Sequence, residues 1–209
     1  MEIELKYKIE TPEKIDKILN DPVLRKIAED GTDETVTMKA AYFDTEDNIL
    51  IKNNIAFRIR SEGSKIIATL KWKDTDEGIS GLYVREEINV PVTDESCFLA
   101  PDPSIFKESK VGRDLLDVIA GKPLVNIFDI NFRRDRFKVD SGDSIMEISV
   151  DEGSIVTTNG TLPIRELEIE LFTGNREDLI KLGTSIASKH GLVPETVTKF
   201  GRGVALINQ

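Results

Sequence analysis

Charged side chains spaced two residues apart supply most of the chemistry available to this chain. Glu2-Ile3-Glu4-Leu5-Lys6 near the start is mirrored late on by Glu166-Leu167-Glu168-Ile169-Glu170. Between them stand Arg58-Ile59-Arg60, Lys71-Trp72-Lys73, Arg85-Glu86-Glu87, Arg134-Asp135-Arg136 and Glu147-Ile148-Ser149-Val150-Asp151. Arginine and lysine in rows bind phosphate, arginine through paired N–H donors. Paired glutamates with almost no histidine form an oxygen-only set suited to a hard cation such as Mg²⁺ or Mn²⁺. Bases together with a carboxylate-held cation are what handling a polyphosphate requires.

Such rows work only if something aims them at one point. On a β-strand, residues two apart share a face. The other face of these segments is apolar: Ile3, Leu5, Phe57, Ile59, Leu70, Trp72, Ile148, Val150, Leu167, Ile169 and Leu171. Strand patterns fall at 2–9, 34–43, 54–61, 65–73, 81–90, 125–139, 144–151 and 164–172. Glu62-Gly63 reads as a tight hairpin turn, and 74–81 as an acidic loop. Helical spacing falls after Thr11-Pro12, with Thr as N-cap, and restarts at Pro22. It returns from Ser104 to Gly121, over 175–190, and in a short last segment holding Val197, Phe200, Val204 and Leu206. The helices can cover the apolar faces. The charged faces then form either an open wet sheet or the lining of a closed barrel, for which eight strands suffice. The eight bases and eight acids on that face favour a lumen filled by water, ions or ligand, because unpaired buried charges cost several kcal/mol each. The expected fold is α+β, one domain over 1–209, a closed eight-stranded antiparallel barrel with helices outside.

Bulk properties narrow the field further. A net charge of −10 argues against a general nucleic-acid binder, without excluding a local basic pocket. The single cysteine, Cys97, excludes an intrachain disulfide. No apolar run reaches the roughly 18–20 residues of a membrane span. The chain opens directly on a charged strand without a signal-peptide pattern, so a cytoplasmic protein is expected, with no membrane partner.

These motifs, in this order, resemble the CYTH superfamily, the triphosphate tunnel metalloenzymes. The resemblance rests on Glu2-x-Glu4-x-Lys6, Tyr42-Phe43-Asp44-Thr45, Arg58-x-Arg60, Lys71-x-Lys73, Arg85-x-Glu87, Arg134-x-Arg136, Glu147-x-x-x-Asp151-x-Gly153, Glu166-x-Glu168-x-Glu170 and Lys199-x-x-Arg202-Gly203. It implies an eight-stranded tunnel with a C-terminal helix over one mouth. It also implies metal-dependent hydrolysis of a triphosphate, or cyclisation of ATP. By position, Glu2, Glu4, Glu168, Glu170 and Asp151 would hold Mg²⁺ or Mn²⁺. Lys6, Arg58, Arg60, Lys71, Lys73, Arg85, Arg134, Arg136, Lys199 and Arg202 would grip phosphate. Glu4, Glu170 and Lys6 would serve catalysis, with Glu87, Glu147 and Glu166 in support.

Other conspicuous residues read as structural. His190 suits a helix C-terminus, Trp72 core packing, and Arg133 with Asp135 a surface pair. Tyr42 and Asp44 suit a strand end at least as well as substrate contact. Cys97 lacks a basic neighbour and is expected to be inert. The expected activity is hydrolysis of inorganic tripolyphosphate, by a monomer or homodimer whose partner is a small triphosphate. The rivals are a class IV adenylyl cyclase, a thiamine or nucleoside triphosphatase, and a non-catalytic polyphosphate-binding module.

Overall fold

Antiparallel pairing runs around the molecule and returns to its first strand. The structure, a computed structural model, describes residues 1–75 and 78–209, without the side chains of residues 73–75. Its elements are β1 (Glu2–Lys8), α1 (Glu13–Leu19), α2 (Pro22–Lys26), β2 (Glu34–Thr45), α3 (Ile49–Lys52), β3 (Ala56–Glu62), β4 (Lys65–Thr75) and β5 (Leu82–Val92). After these come α4 (Lys110–Ile119), β6 (Leu124–Asp140), β7 (Ile145–Thr157), β8 (Gly160–Thr173), α5 (Arg176–His190), β9 (Val193–Pro194) and α6 (Lys199–Ile207). Strand order is β5-β4-β3-β2-β6-β7-β8-β1, and a β1–β5 pairing closes the barrel. The two-residue β9 pairs with the end of β1 at Tyr7 and Lys8.

Alternation in the strands divides the apolar residues among three cores. Outward-facing Leu5, Ile148, Val150, Leu167 and Ile169 pack under α1, α2 and α5, which supply Ile15, Ile18, Leu24, Leu179 and Ile186. Outward-facing Phe57, Ile59, Ala68 and Leu70 pack with Leu50 from α3, Phe106 from the 3-10 turn Pro103–Phe106, and Leu115 and Ile119 from α4. Trp72 joins this second core from its edge, as expected. Each buried side chain of this size contributes roughly 1.5–3 kcal/mol.

The third core lies inside the barrel. Met38, Ala40, Tyr42, Phe128, Ile130, Ile155 and Ile164 face inward at one end, where Phe200, Val204 and Ile207 of α6 pack against them. The lumen is therefore charged over only part of its length, and α6 plugs the rest with hydrocarbon. Close approach of the helix requires Gly203, where a Cβ would meet the Phe128 ring at 2.5 Å. Tyr42 stacks on Phe128 at 4.8 Å and lies 5.4 Å from the Phe200 ring.

The local differences from the sequence reading have physical causes. Asp74 and Thr75, read as loop, extend β4 opposite Arg85 and Val84. Asp76 and Glu77 of that loop lie outside the described residues. Helix α3 is too short to show a period; the buried Asp44 carboxylate fixes it by accepting the N–H groups of Leu50 and Ile51 at 2.8 and 2.9 Å. Pro12, not Thr11, holds the N-cap position of α1. The helix expected from Ser104 divides into a 3-10 turn, Pro103–Phe106, and α4 capped by Ser109. Gly112 lets α4 sit on that turn, since a Cβ there would lie 1.8 Å from the Phe106 carbonyl oxygen.

Candidate active site

Sheet register places the predicted charges on one inner wall. Across β1 and β8, Glu4 stands opposite Glu170 and Lys6 opposite Glu168. Across β7 and β8, Glu147 stands opposite Glu170 and Asp151 opposite Glu166. Across β6 and β7, Arg134 stands opposite Asp151. Across β4 and β5, Lys71 stands opposite Glu87. Of these, Glu4, Lys6, Lys71, Glu87, Arg134, Glu147, Glu168 and Glu170 line a cavity of about 1230 Å³, together with Glu2, Arg58, Arg60, Arg85, Arg136 and Lys199; Asp151 and Glu166 are fully buried in the wall.

Around this lumen the acid-rich wall is tied up in ion pairs, and the arginines of β3 are less so. On the acidic side, Lys71 binds Glu2 and Glu87, both at 2.7 Å. Lys6 binds Glu4 at 3.0 Å and also pairs with Glu168. Arg134 forms a bidentate pair with Asp151 at 2.6 and 2.7 Å and reaches Glu168. Lys199 joins Asp151, Glu166 and Glu168 at 2.8, 2.6 and 2.7 Å, and Arg202 pairs with Glu166. Asp151 and Arg202 are thereby committed to ion pairs within the wall.

The basic side is less satisfied. Burial and the neighbouring Arg58 and Arg134 push the Arg60 guanidinium down to about 10. The buried Nε atoms of Arg58 and Arg60 have no hydrogen-bond partner among the described residues. Arg58 does bind Thr69 at 3.2 Å and the Tyr42 hydroxyl. Burial would raise the Tyr42 phenol, but Arg58 and Lys71 outweigh it and draw it below its usual value. Unsatisfied buried N–H groups beside an arginine cluster call for an anion.

Glu170 shows the opposite imbalance. Burial together with Glu2, Glu4 and Glu147 pushes its carboxyl up to about 8. Burial also raises Glu4, although Lys6 partly offsets it. Burial alone would raise Glu2 as well, but Lys71 and Lys6 hold it at about 2. Glu2, Glu4 and Glu170 thus form an oxygen-only set whose mutual repulsion a divalent cation would relieve, which fits a hard cation in donor type. Among the described residues no three acidic, histidine or cysteine side chains are arranged as a finished metal site. Lys71 and Lys6 hold Glu2 and Glu4, and would have to release them.

The other predicted residues are accounted for individually. The Lys73 side chain lies outside the described residues. Arg85 lies over the Tyr83 ring at 4.8 Å. His190 Nε2 and Lys189 Nζ each lie 2.7 Å from the buried Asp21 carboxylate, away from the cavity. Arg133 pairs with Asp135 at 2.8 Å on the outside. The Cys97 thiol is raised by burial and by Asp94. The sequence reading missed Glu62, Thr69 and Asn89, all of which line the cavity or bind its bases. Each extends a charged alternation by one step, as in Arg58-x-Arg60-x-Glu62 and Thr69-x-Lys71.

Comparison with known proteins agrees with this geometry. Residues 1–204 match the model of the CYTH domain. An inorganic triphosphatase of Haemophilus influenzae is 28% identical over 170 residues, covering 79% of this chain. The chain spans only 44% of that relative's length. Among solved structures, a candidate adenylyl cyclase from Hippeastrum, described as having a dominant triphosphatase activity, superposes with a TM-score of 0.68 at 22% identity, covering 98% of this chain and 96% of that one. A protein of Pyrococcus horikoshii superposes with a TM-score of 0.58 at 17% identity, covering 98% and 99%. With the family model covering nearly the whole chain and the charged tunnel in place, this chain belongs to the CYTH domain family.

Proposed function

We propose that the protein hydrolyses a triphosphate, inorganic tripolyphosphate in the first instance, with Mg²⁺ or Mn²⁺ held by Glu2, Glu4 and Glu170. One observation carries this reading. Arg58 and Arg60, whose buried Nε atoms find no acceptor among the described residues, share one cavity with the inward carboxyl groups of Glu2, Glu4 and Glu170. The named activity of the Haemophilus relative supports it.

Arg58 and Arg60 would hold the phosphate chain and neutralise charge moving onto the leaving oxygens, with Arg134, itself held by Asp151 and Glu168, adding its charge beside them. Lys6 and Lys71, freed from Glu4 and Glu2, would supply two further cations at the same chain. The divalent ion, when bound, would supply further charge neutralisation and lower the pKa of a water. Glu4 or Glu170 would take the proton from the attacking water. The new bond is water oxygen to terminal phosphorus, and the bond that breaks joins that phosphorus to the pyrophosphate leaving group. No covalent nucleophile is invoked. The reading includes a small triphosphate as the sole required partner, action as a monomer or homodimer, and a cytoplasmic location. No helix among the described residues is long and apolar enough to cross a membrane.

The test is incubation of the purified protein with tripolyphosphate, ATP or thiamine triphosphate, with and without Mg²⁺ or Mn²⁺. Metal-dependent phosphate release from tripolyphosphate is expected. Cyclic AMP from ATP as the main product would overturn the reading in favour of a cyclase. Tight polyphosphate binding without turnover of any of the three would make the protein a binding module. Joint Glu2→Gln and Glu4→Gln substitution is expected to abolish metal-dependent turnover and leave the circular dichroism of the barrel unchanged.

A further inference from the structure

The inner face of β3 runs Arg58, Arg60, Glu62 towards the rim at its end. Glu62 comes one side-chain repeat after Arg60, roughly 6.8 Å further along the strand. It lies 3.2 Å from the Arg60 guanidinium and 2.8 Å from that of Arg136. Arg136 in turn meets Glu34, at the start of β2, at 2.6 Å and Glu147 at 3.9 Å. The end of β3, the start of β2 and the end of β6 share one rim because these strands are antiparallel neighbours. At this rim the Arg136 guanidinium meets three carboxylates, and Lys65 of β4 stands directly across from Glu62 in register. The next inward base, Lys138, lies over the Phe172 ring at 5.3 Å. The opposite end is filled by α6.

Arg136 therefore differs from the deeper arginines. Arg58 and Arg60 keep buried Nε atoms with no acceptor among the described residues, whereas Arg136 already has its anions from the protein. The row of bases on β3 ends at Arg60, and the next inward side chain towards the rim is the carboxylate Glu62.

Resting on the proposed polyphosphate reading, we infer that Glu62, backed by Glu34, is a specificity-determining residue that limits phosphate chain length. A triphosphate lying among Arg58, Arg60 and Arg134 meets the acidic rim only in passing. A longer chain leaves a charged phosphoryl group against Glu62 and Glu34 at equilibrium. In a partly solvated rim, one such like-charge contact is worth roughly a factor of ten in affinity.

The experiment measures dissociation constants for tripolyphosphate and tetrapolyphosphate by calorimetry on metal-free protein, alongside turnover of both with Mg²⁺. The informative quantity is the ratio of the two constants. Glu62→Gln is expected to shift that ratio about tenfold towards tetrapolyphosphate, by the estimate above. Glu62→Asp should retain the ratio of the unsubstituted protein. Equal weakening of both ligands by Glu62→Gln would mean that Glu62 only positions Arg60 and Arg136, and the inference would fall. If Glu62→Gln does not fold, Glu34→Gln on the exposed strand end must shift the ratio in the same direction by roughly threefold; an unchanged ratio there overturns the inference. A shifted ratio without turnover would sink the hydrolase reading and leave the inference standing. Turnover with an unshifted ratio would do the reverse.

Discussion

Replacing Lys199 by methionine tests whether the inner wall is held by its ion pairs. Lys199 begins α6, and its ammonium is shared by Asp151, Glu166 and Glu168, all buried. Removing one partner from a buried ion pair costs about 3–5 kcal/mol, because the remaining charge stays desolvated. Compensation is available here. Asp151 keeps Arg134, Glu166 keeps Arg202, and Glu168 keeps Lys6 and Arg134. The expected loss therefore lies near the lower end, about 3 kcal/mol. For a chain of this length each kcal/mol lowers the melting temperature by about 2–4 °C, so the drop should be roughly 6–12 °C.

The loss should also depend on pH, with a determined sign. Burial would raise Asp151 and Glu168, but their cations win, and both carboxyls lie below their usual values. Groups of that kind stabilise the fold above the unfolded carboxylate range and lose their contribution as pH falls through the depressed folded values. Without Lys199 those folded values rise, and the variant takes up protons in its folded state at higher pH. The deficit relative to the unsubstituted protein should shrink as pH falls, by up to about 1.4 kcal/mol per pH unit for one proton. Urea unfolding near neutrality and again at mildly acidic pH measures both effects. A neutral-pH loss under about 1 kcal/mol, in the range of exposed pairs, would refute the claim that these pairs hold α6 in the barrel. A deficit that stayed constant with pH would refute the electrostatic part.

Three further outcomes follow from the same geometry. Glu170→Gln should raise the thermal stability of the metal-free protein at alkaline pH and leave it unchanged in acid. The Glu170 carboxyl rises to about 8 on folding, so its ionisation opposes the folded state above the unfolded carboxylate range; melting curves across pH check this. Arg60→Ala removes a donor from the under-neutralised cluster and should weaken tripolyphosphate binding by about 1.5–3 kcal/mol, read by calorimetry. Gly203→Ala puts a methyl group against the Phe128 ring and should destabilise the barrel by about 1–3 kcal/mol through strain at α6, read by urea unfolding.

Much of this molecule is legible in its sequence because a strand's two-residue period is strict. Placing Glu2, Glu4 and Lys6 on one face and Ile3 and Leu5 on the other needs no partner strand. The eight long strands, α5 and the final helix follow from that period and from helical spacing. The period is silent about α3, whose four residues depend on Asp44 from the preceding strand. It is equally silent about the break at Ser109, which follows from Gly112 settling on the Phe106 turn.

The candidate site divides along the same line. Residue type and alternation alone pointed to most of the acids and bases that face inward, though not to Glu62. Register across the sheet decided which of them meet. It committed Asp151 to Arg134 and Lys199, left Glu170 among like charges, and joined Glu62 on β3 to Arg136 on β6 across β2. These pairings join residues distant in the chain, and no local pattern encodes them. The apolar plug of α6 inside one end of the barrel was also decided only by tertiary structure. An amphipathic segment records that it has an apolar face, but where that face is buried depends on the shape of the space the other elements leave.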